Sequence, residues 1–566
     1  MFLILILVAA AILVSWEFRN RPKTILETGT VKYIDLEGGF YGIVADSGKR
    51  YLPINLEDKF KVGGLRVEFK AKIRRDIKTI QMWGTPIEIV EIRKKKEEGI
   101  GDLSQVRVAV QYRIVTDGKK FNRTLDDVVN IFKETNTDFI FQGWLTQWPL
   151  PDRCSDLAIN ERERCNLEGY SYEHLKNAVY KIKKELPNVI FGGGTQFEYL
   201  YPDELQGRSE KERRDKAWNM TLNPEKWGIK FSRNDMQCYW AKRWGFINKQ
   251  KQCPSEEELK QKMPYYFPDI TNPEFQNLFL KRIYRQIDAG VDAVWIDMLY
   301  AQPVFLRGLT KDENHPAVKE SYKAAWDIVD KIHKYGLKKG KKIYVITWVA
   351  HWNGTLIVSK TNIDMAMVSP SADEVKNKDT GEIAKFDKDK WDIMTEQIRE
   401  KFGIPVFARI DYGGVGRTPL SAFSQELTKD EAKIFLKKAD EFFSSRNIVF
   451  IYPVHGGNMG APGKVEKLSY GKFNWYDALA PEFDTYKTIK ELAKNKSDSR
   501  DSAKSKNQTE VAILYDKITD GIYHPSKIRT YKDLVNILKG TQPDIVFNMW
   551  WRWVPTPDSL SPSSPE

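Results

Sequence analysis

The chain has 566 residues, 41% hydrophobic and 29% charged, with a formal net charge of +12. This length exceeds one ordinary core, so two or more domains are expected, and the composition is that of a globular protein and not of a disordered one. Lys and Glu interleave along the chain as on a solvated, ion-paired surface. No basic stripe with exposed aromatics accompanies them, so nucleic acid is not an expected partner.

Residues 1–16 are almost wholly apolar. As a helix they span about 24 Å, slightly short of a ~30 Å bilayer core. We read 1–18 as a membrane anchor or signal segment and favour the anchor, because no clear cleavage site follows Leu13. The membrane is thus an expected partner. Arg19, Arg21 and Lys23 follow the apolar run, which by the positive-inside rule places them in the cytoplasm.

The four cysteines point outward instead. They fall into two close pairs, Cys154/Cys165 and Cys238/Cys253, neither with C-x-x-C spacing, and six histidines are too few to complete a metal cluster. Local loops of this size suit disulfides and an oxidising exterior. The expected location is membrane-anchored and extracytoplasmic, at the cell surface, or secreted.

Residues 25–96 alternate with period two, in runs at 29–34, 40–44, 66–71 and 86–92 separated by Gly turns. This predicts a small closed β-barrel of the oligonucleotide/oligosaccharide-binding type, serving as a spacer or accessory module. From 105 to 493 apolar strands alternate with amphipathic helices. The strands are expected at 106–112, 137–144, 189–198, 291–299, 342–350, 363–370, 405–413 and 447–456. Helices are expected at 172–186, 273–289 and 318–335, among others. Eight such units make an α/β fold, a (β/α)8 TIM barrel. One cysteine pair falls in the insertion after the second strand, and the other in the largest insertion, 199–268, after the third.

A polar linker, 494–508, follows, and then an imperfect copy of 108–152 at 511–558. Val108-Ala-Val-Gln-Tyr112 matches Val511-Ala-Ile-Leu-Tyr515, and Asp127-Val-Val-Asn-Ile131 matches Asp533-Leu-Val-Asn-Ile537. We therefore assign 509–558 as a truncated repeat of the first part of the barrel, and 559–566 as a disordered tail.

The C-terminal ends of the eight strands carry Tyr112, Gln142, Trp144, Gln196, Glu198, Asp297, Trp348, His351, Trp352, Asp373, Glu374, Arg409, Asp411, Tyr452 and His455. There is no His-x-His pair, no G-x-S-x-G elbow, no phosphate loop and no dinucleotide fingerprint, so neither metal nor cofactor is expected. Gly192-Gly-Gly194 lies inside a strand and reads as close backbone approach. Paired carboxylates in a Trp-lined cleft suit glycoside hydrolysis, where one acid protonates the leaving oxygen and the other attacks or activates water. The catalytic candidates are Asp297, Asp411, Glu198, Asp373 and Glu374. The substrate-binding candidates are Gln142, Trp144, Gln196, Trp348, His351, Trp352, Arg409, Tyr452 and His455. Strand alternation puts Trp295 on the face of Asp297, and Arg409 on that of Asp411. An apolar neighbour raises an acid's pKa and a cation lowers it, which makes Asp297 the acid and Asp411 the ionised partner.

Ala289-Gly-Val-Asp-Ala-Val-Trp-Ile-Asp-Met298 resembles the fourth-strand motif of the α-glucosidase/α-galactosidase superfamily of barrel glycosidases. The resemblance implies that Asp297 is the nucleophile and that the acid/base follows the sixth strand, where Asp373 and Glu374 stand. The fifth strand ends in Thr347-Trp-Val-Ala-His351 with no Glu, unlike the related α-amylase pattern. The acid/base thus stays open among Glu198, Asp373, Glu374 and Asp411. The leading expectation is a glycoside hydrolase acting on an oligo- or polysaccharide. The alternative is a non-catalytic carbohydrate-binding or cell-surface protein on the same scaffold.

Overall fold

The computed structural model of the protein describes residues 24–497 except 35–38, 46, 62–64, 75, 78, 80–82, 95–101, 147–148, 351–353, 359, 412–415, 460–465 and 469–470. The expected anchor (1–18), most of the linker, the repeat (509–558), His351 and Trp352 lie outside the described residues. Residues 494–497, assigned by composition to the linker, are helical. Among the described residues no helix is long and apolar enough to cross a membrane.

Five strands form the first barrel: β1 (Thr24–Ile34), β2 (Phe40–Ala45), β3 (Arg50–Pro53), β4 (Arg66–Ile73) and β5 (Thr85–Lys94). Their order is β1-β2-β3-β5-β4, closed by β4 against β1, with β3 and β5 parallel and the other pairs antiparallel. Alternate residues face inward, so Val31, Ile43, Tyr51, Val67, Phe69, Ala71 and Ile87 make one core. The sequence reading missed β3, whose four residues end in proline and are too few to show an alternation.

The second barrel has eight parallel strands. They are β6 (Ala109–Tyr112), β7 (Phe139–Phe141), β8 (Ile190–Gln196), β9 (Ala293–Asp297), β10 (Tyr344–Trp348), β11 (Met365–Val368), β12 (Val406–Ala408) and β13 (Val449–Asn458). They follow one another in chain order, and β12–β13 and β13–β6 pairings close the ring. All eight fall within or across the expected stretches. Phe139, Phe141, Ile190, Trp295, Ile346, Met365, Met367 and Phe407 fill the interior. The three quoted helices appear as Tyr172–Glu185, Pro273–Asp288 and Pro316–Lys338. Two short strands, β14 (Glu466–Leu468) and β15 (Gly471–Phe473), make a hairpin, and β16 (Trp475–Asp477) adds to β13 antiparallel.

The glycine run in β8 has a physical cause. Gln286, from the helix Pro273–Asp288, accepts from Gly194 N at 3.0 Å and donates to Gly194 O at 3.0 Å and to Thr146 Oγ1 at 3.1 Å. A Cβ on Gly193 would sit 2.3 Å from Gln286 Oε1, and one on Gly192 would sit 2.6 Å from Ile140 O. The buried amide thus clamps β8 to its covering helix where only glycine fits.

Both cysteine pairs are disulfides, Cys154–Cys165 and Cys238–Cys253. Each closes a short loop on an insertion that leaves the C-terminal end of a strand. In the larger insertion, Ser232 and Ser255 form capping boxes with Asp235 and Glu258 at the starts of helices Arg233–Arg243 and Glu256–Lys262. The barrel sets the strand ends on one rim, and the stapled insertions rise from that rim.

Candidate active site

Parallel strands deliver their last residues to a common mouth, where side chains leave the packed interior. In the β8–β9 register Gln196 faces Asp297, and Phe197 N donates to Asp297 O at 3.1 Å. The pairing carries Glu198 to the rim beside Asp297. From the end of β10, Trp348 Nε1 donates to Asp297 Oδ1 at 3.1 Å, and the Gln196 side chain hydrogen-bonds the same carboxyl. Just past β12, Arg409 is 1% exposed and ion-pairs with Asp411. Its guanidinium lies 5.0 Å from the Trp295 ring centre, 5.2 Å from Phe141 and 5.3 Å from Trp348.

The electrostatics separate the carboxyls. Burial, and then the charge of Asp411, push Asp297 up to about 6, against the opposing pull of Arg409, Trp348 and Gln196. Glu198 is only 2% exposed, and its Oε1 has no hydrogen-bond partner among the described residues. Burial, and then the negative charge of Asp297, push Glu198 well above the usual carboxylate range, with Arg243 opposing. Asp297 at about 6 is thus mostly ionised at neutral pH, while Glu198 holds its proton more tightly than an ordinary glutamate. The sequence reading made Asp297 the acid because of Trp295. The structure raises Asp297, and it raises Glu198 as well, through burial and the charge of Asp297.

Backbone strain marks the same rim. Gln142, just past β7, has φ +58°, and Met298, just past Asp297, has φ +58°. A non-glycine residue in this left-handed region costs about 1–3 kcal/mol, and such costs gather where geometry matters more than stability. Gln142 is fully buried, and its carbonyl accepts from Ile114 N at 3.1 Å.

Other candidates lie elsewhere. Trp144 is fully buried against Tyr170, 4.8 Å between ring centres, so it is core and presents no face to a sugar. Tyr452 is likewise buried, and its hydroxyl donates to Asp440 Oδ1 at 2.7 Å on the helix Lys429–Ser444. His455 is held by Asp477 at 2.6 Å and Asp117 at 3.4 Å, between the rings of Tyr112 and Phe121. Asp373 is exposed and ion-pairs with Arg417 at 2.6 Å. Glu374 caps the short helix Ala372–Val375 through Ser371 N at 2.8 Å. It also accepts from Trp391 Nε1 at 2.8 Å and Lys390 Nζ at 3.0 Å, so its oxygens are already engaged. Tyr199, Tyr265 and Arg243 near Glu198 escaped the sequence reading. The aromatic density of Tyr199-Leu-Tyr201 and Tyr265-Tyr-Phe267 within one stapled insertion is the signal that would have found the two tyrosines. Among the described residues no group of His, Cys, Asp and Glu is arranged to hold a metal ion.

No family model and no curated relative matches the sequence. Among solved structures, the chain is similar to the glycoside hydrolase domain of PelA from Pseudomonas aeruginosa at 10% identity, over 62% of this chain and 94% of that one, with TM-score 0.30. It is similar to endo-glycoceramidase II from Rhodococcus sp. at 10% identity, over 69% of this chain and 80% of that one, with TM-score 0.36. Its likeness to Eubacterium rectale Amy13B has 11% identity over 70% of this chain and 79% of that one, with TM-score 0.40.

Proposed function

We propose that the protein is a glycoside hydrolase acting on an oligo- or polysaccharide at the mouth of the (β/α)8 barrel. One observation carries the reading: two carboxyls at neighbouring strand ends, the buried Glu198 and the half-buried Asp297, both pushed above the usual carboxylate range. Glu198 holds a proton at neutral pH and gives it to the leaving glycosidic oxygen. Asp297, ionised and oriented by Trp348 and Gln196, attacks the anomeric carbon or takes the proton of an attacking water. The Arg409–Asp411 pair sets the local charge and fixes the floor of the site. Asp373 and Glu374, which the superfamily resemblance nominates as acid/base, have no part in this scheme, since an ion pair holds the first and a helix cap the second. The two disulfides support an extracytoplasmic location.

The test is release of reducing ends from a panel of glycans. Wild-type protein is expected to cleave at least one, with activity falling below about pH 6 as Asp297 takes up its proton. Glu198→Gln and Asp297→Asn, each confirmed folded, are expected to abolish that cleavage. Full activity in either variant would remove the assignment. Binding without cleavage by the wild type would favour the non-catalytic alternative.

A further inference from the structure

The insertion between β8 and β9 carries an aromatic cluster that the chemistry above leaves unused. Tyr199, next in chain to Glu198, lies 4.1 Å ring to ring from Tyr265 and 6.1 Å from Trp244. Tyr265 in turn meets Phe246 edge-on at 5.3 Å. Phe246 is 42% exposed, so it forms the outer end of a run of rings that begins at Tyr199, the residue after the buried acid. Trp244 and Phe246 both lie inside the loop closed by Cys238–Cys253, a separation of 15 residues. Covalent closure takes conformational freedom from that loop and presents its rings in a fixed place. The buried ring nitrogen of Trp244 has no hydrogen-bond partner among the described residues.

The direction of the cluster follows from the role of Glu198. If Glu198 protonates the leaving oxygen, the sugar bearing that oxygen sits against it. Side chains contiguous with Glu198 are then on the leaving-group side of the scissile bond. Tyr199 and Tyr265 are near enough to feel the Glu198 carboxyl. Tyrosine suits such a place because it offers a flat face to sugar C–H bonds and a hydroxyl to sugar oxygens.

We propose that the disulfide-closed insertion is a glycan-binding platform on the leaving-group side, with Tyr265 and Phe246 presenting their rings to sugar units beyond the scissile bond. This rests on the hydrolase reading above. It implies an oligosaccharide or polysaccharide substrate that extends past the cleavage point in that direction, in preference to a simple glycoside.

The experiment compares, for the full chain, a hexasaccharide that the protein cleaves with the 4-nitrophenyl glycoside of the same sugar. In Phe246→Ala the ratio of the two kcat/KM values is expected to shift about three- to tenfold against the hexasaccharide, the worth of one aromatic contact. The loss is expected in KM, and reduction of the disulfide in the wild type is expected to shift the ratio the same way. Tyr180→Ala, on an exposed and remote ring, serves as the control. An unaltered ratio in both Phe246→Ala and Tyr265→Leu would overturn the platform and leave the hydrolase reading standing. If the wild type cleaves no glycan, that reading falls, and a tryptophan-fluorescence titration with cello-, chito- and maltohexaose decides the platform alone. Weaker binding by Phe246→Ala then supports it, and equal or absent binding overturns it.

Discussion

Two groups of buried charges lie on this barrel, and they are handled in opposite ways. Between β6, β13 and β16, Asp117, His455, Asp477 and Arg123 form a compensated network, with Arg123 2.5 Å from Asp477 and His455 touching both acids. Burial alone would strip His455 of its proton, but Asp117 and Asp477 overcome it and raise the ring to about 9. Burial likewise pushes Asp477 up, and His455 and Arg123 outweigh it and hold it below its ordinary value. At the mouth, Glu198 meets burial and the charge of Asp297 with only the exposed Arg243 in opposition, and its carboxyl is pushed well above the usual carboxylate range. Similar burial thus accompanies an ionic clasp in one place and an acid pushed above its usual range in the other. The difference is whether a counter-charge lies within contact distance.

The contrast can be broken most sharply at the mouth. Glu198→Gln is expected to cost at least about 100-fold in kcat while leaving the melting temperature the same or higher. Asp297→Asn should behave alike, because its raised pKa is itself a penalty. A carboxyl at about 6 when folded and near 3.8 when unfolded loses stability as pH rises through that interval. Parallel rate and melting measurements separate the two effects.

His455→Ala should do the reverse and destabilise by about 3–5 kcal/mol, read as a lower urea midpoint, because it leaves two buried acids short of a partner. Its kcat per folded molecule is expected to stay within about twofold, about 0.4 kcal/mol. The pH dependence sharpens the same point. A histidine raised to about 9 stabilises fully below its unfolded value near 6.5 and loses that contribution as pH climbs to 9. In the His455→Ala variant the fall in stability across that window should shrink. Smaller again, Glu374→Gln is expected to cost about 1–3 kcal/mol of stability through weakened bonds to Trp391 and Lys390. Asp373→Asn at the surface should cost under about 1 kcal/mol.

Much of the scaffold was legible because barrel strands announce themselves as apolar runs between helices, and the eight stretches needed no long-range information. Asp297 could be placed at the rim for the same reason. What the pattern could not give was direction. Trp144 stands just past the end of β7 and Tyr452 within β13, yet each turns away into packing against a neighbouring helix or ring. Glu374 stood among the acid/base candidates, but Ser371 three residues before it is a capping partner. Glu198 looked like one acid among several, because nothing local reveals that, among the described residues, only the exposed Arg243 opposes its burial.

The caged Arg409 has a consequence for inhibitors. With its pair to Asp411 counted as neutral, and Glu198 protonated as proposed, Asp297 adds one negative charge to the mouth whenever it is ionised. A sugar mimic with a ring ammonium would meet that charge above about pH 6 and lose it below, so its affinity should rise with pH until the mimic itself gives up its proton. A neutral mimic of the same shape should show no such slope. The guanidinium, held out of solvent by three aromatic rings, would then serve as a fixed ballast that keeps the mouth from accumulating a second negative charge.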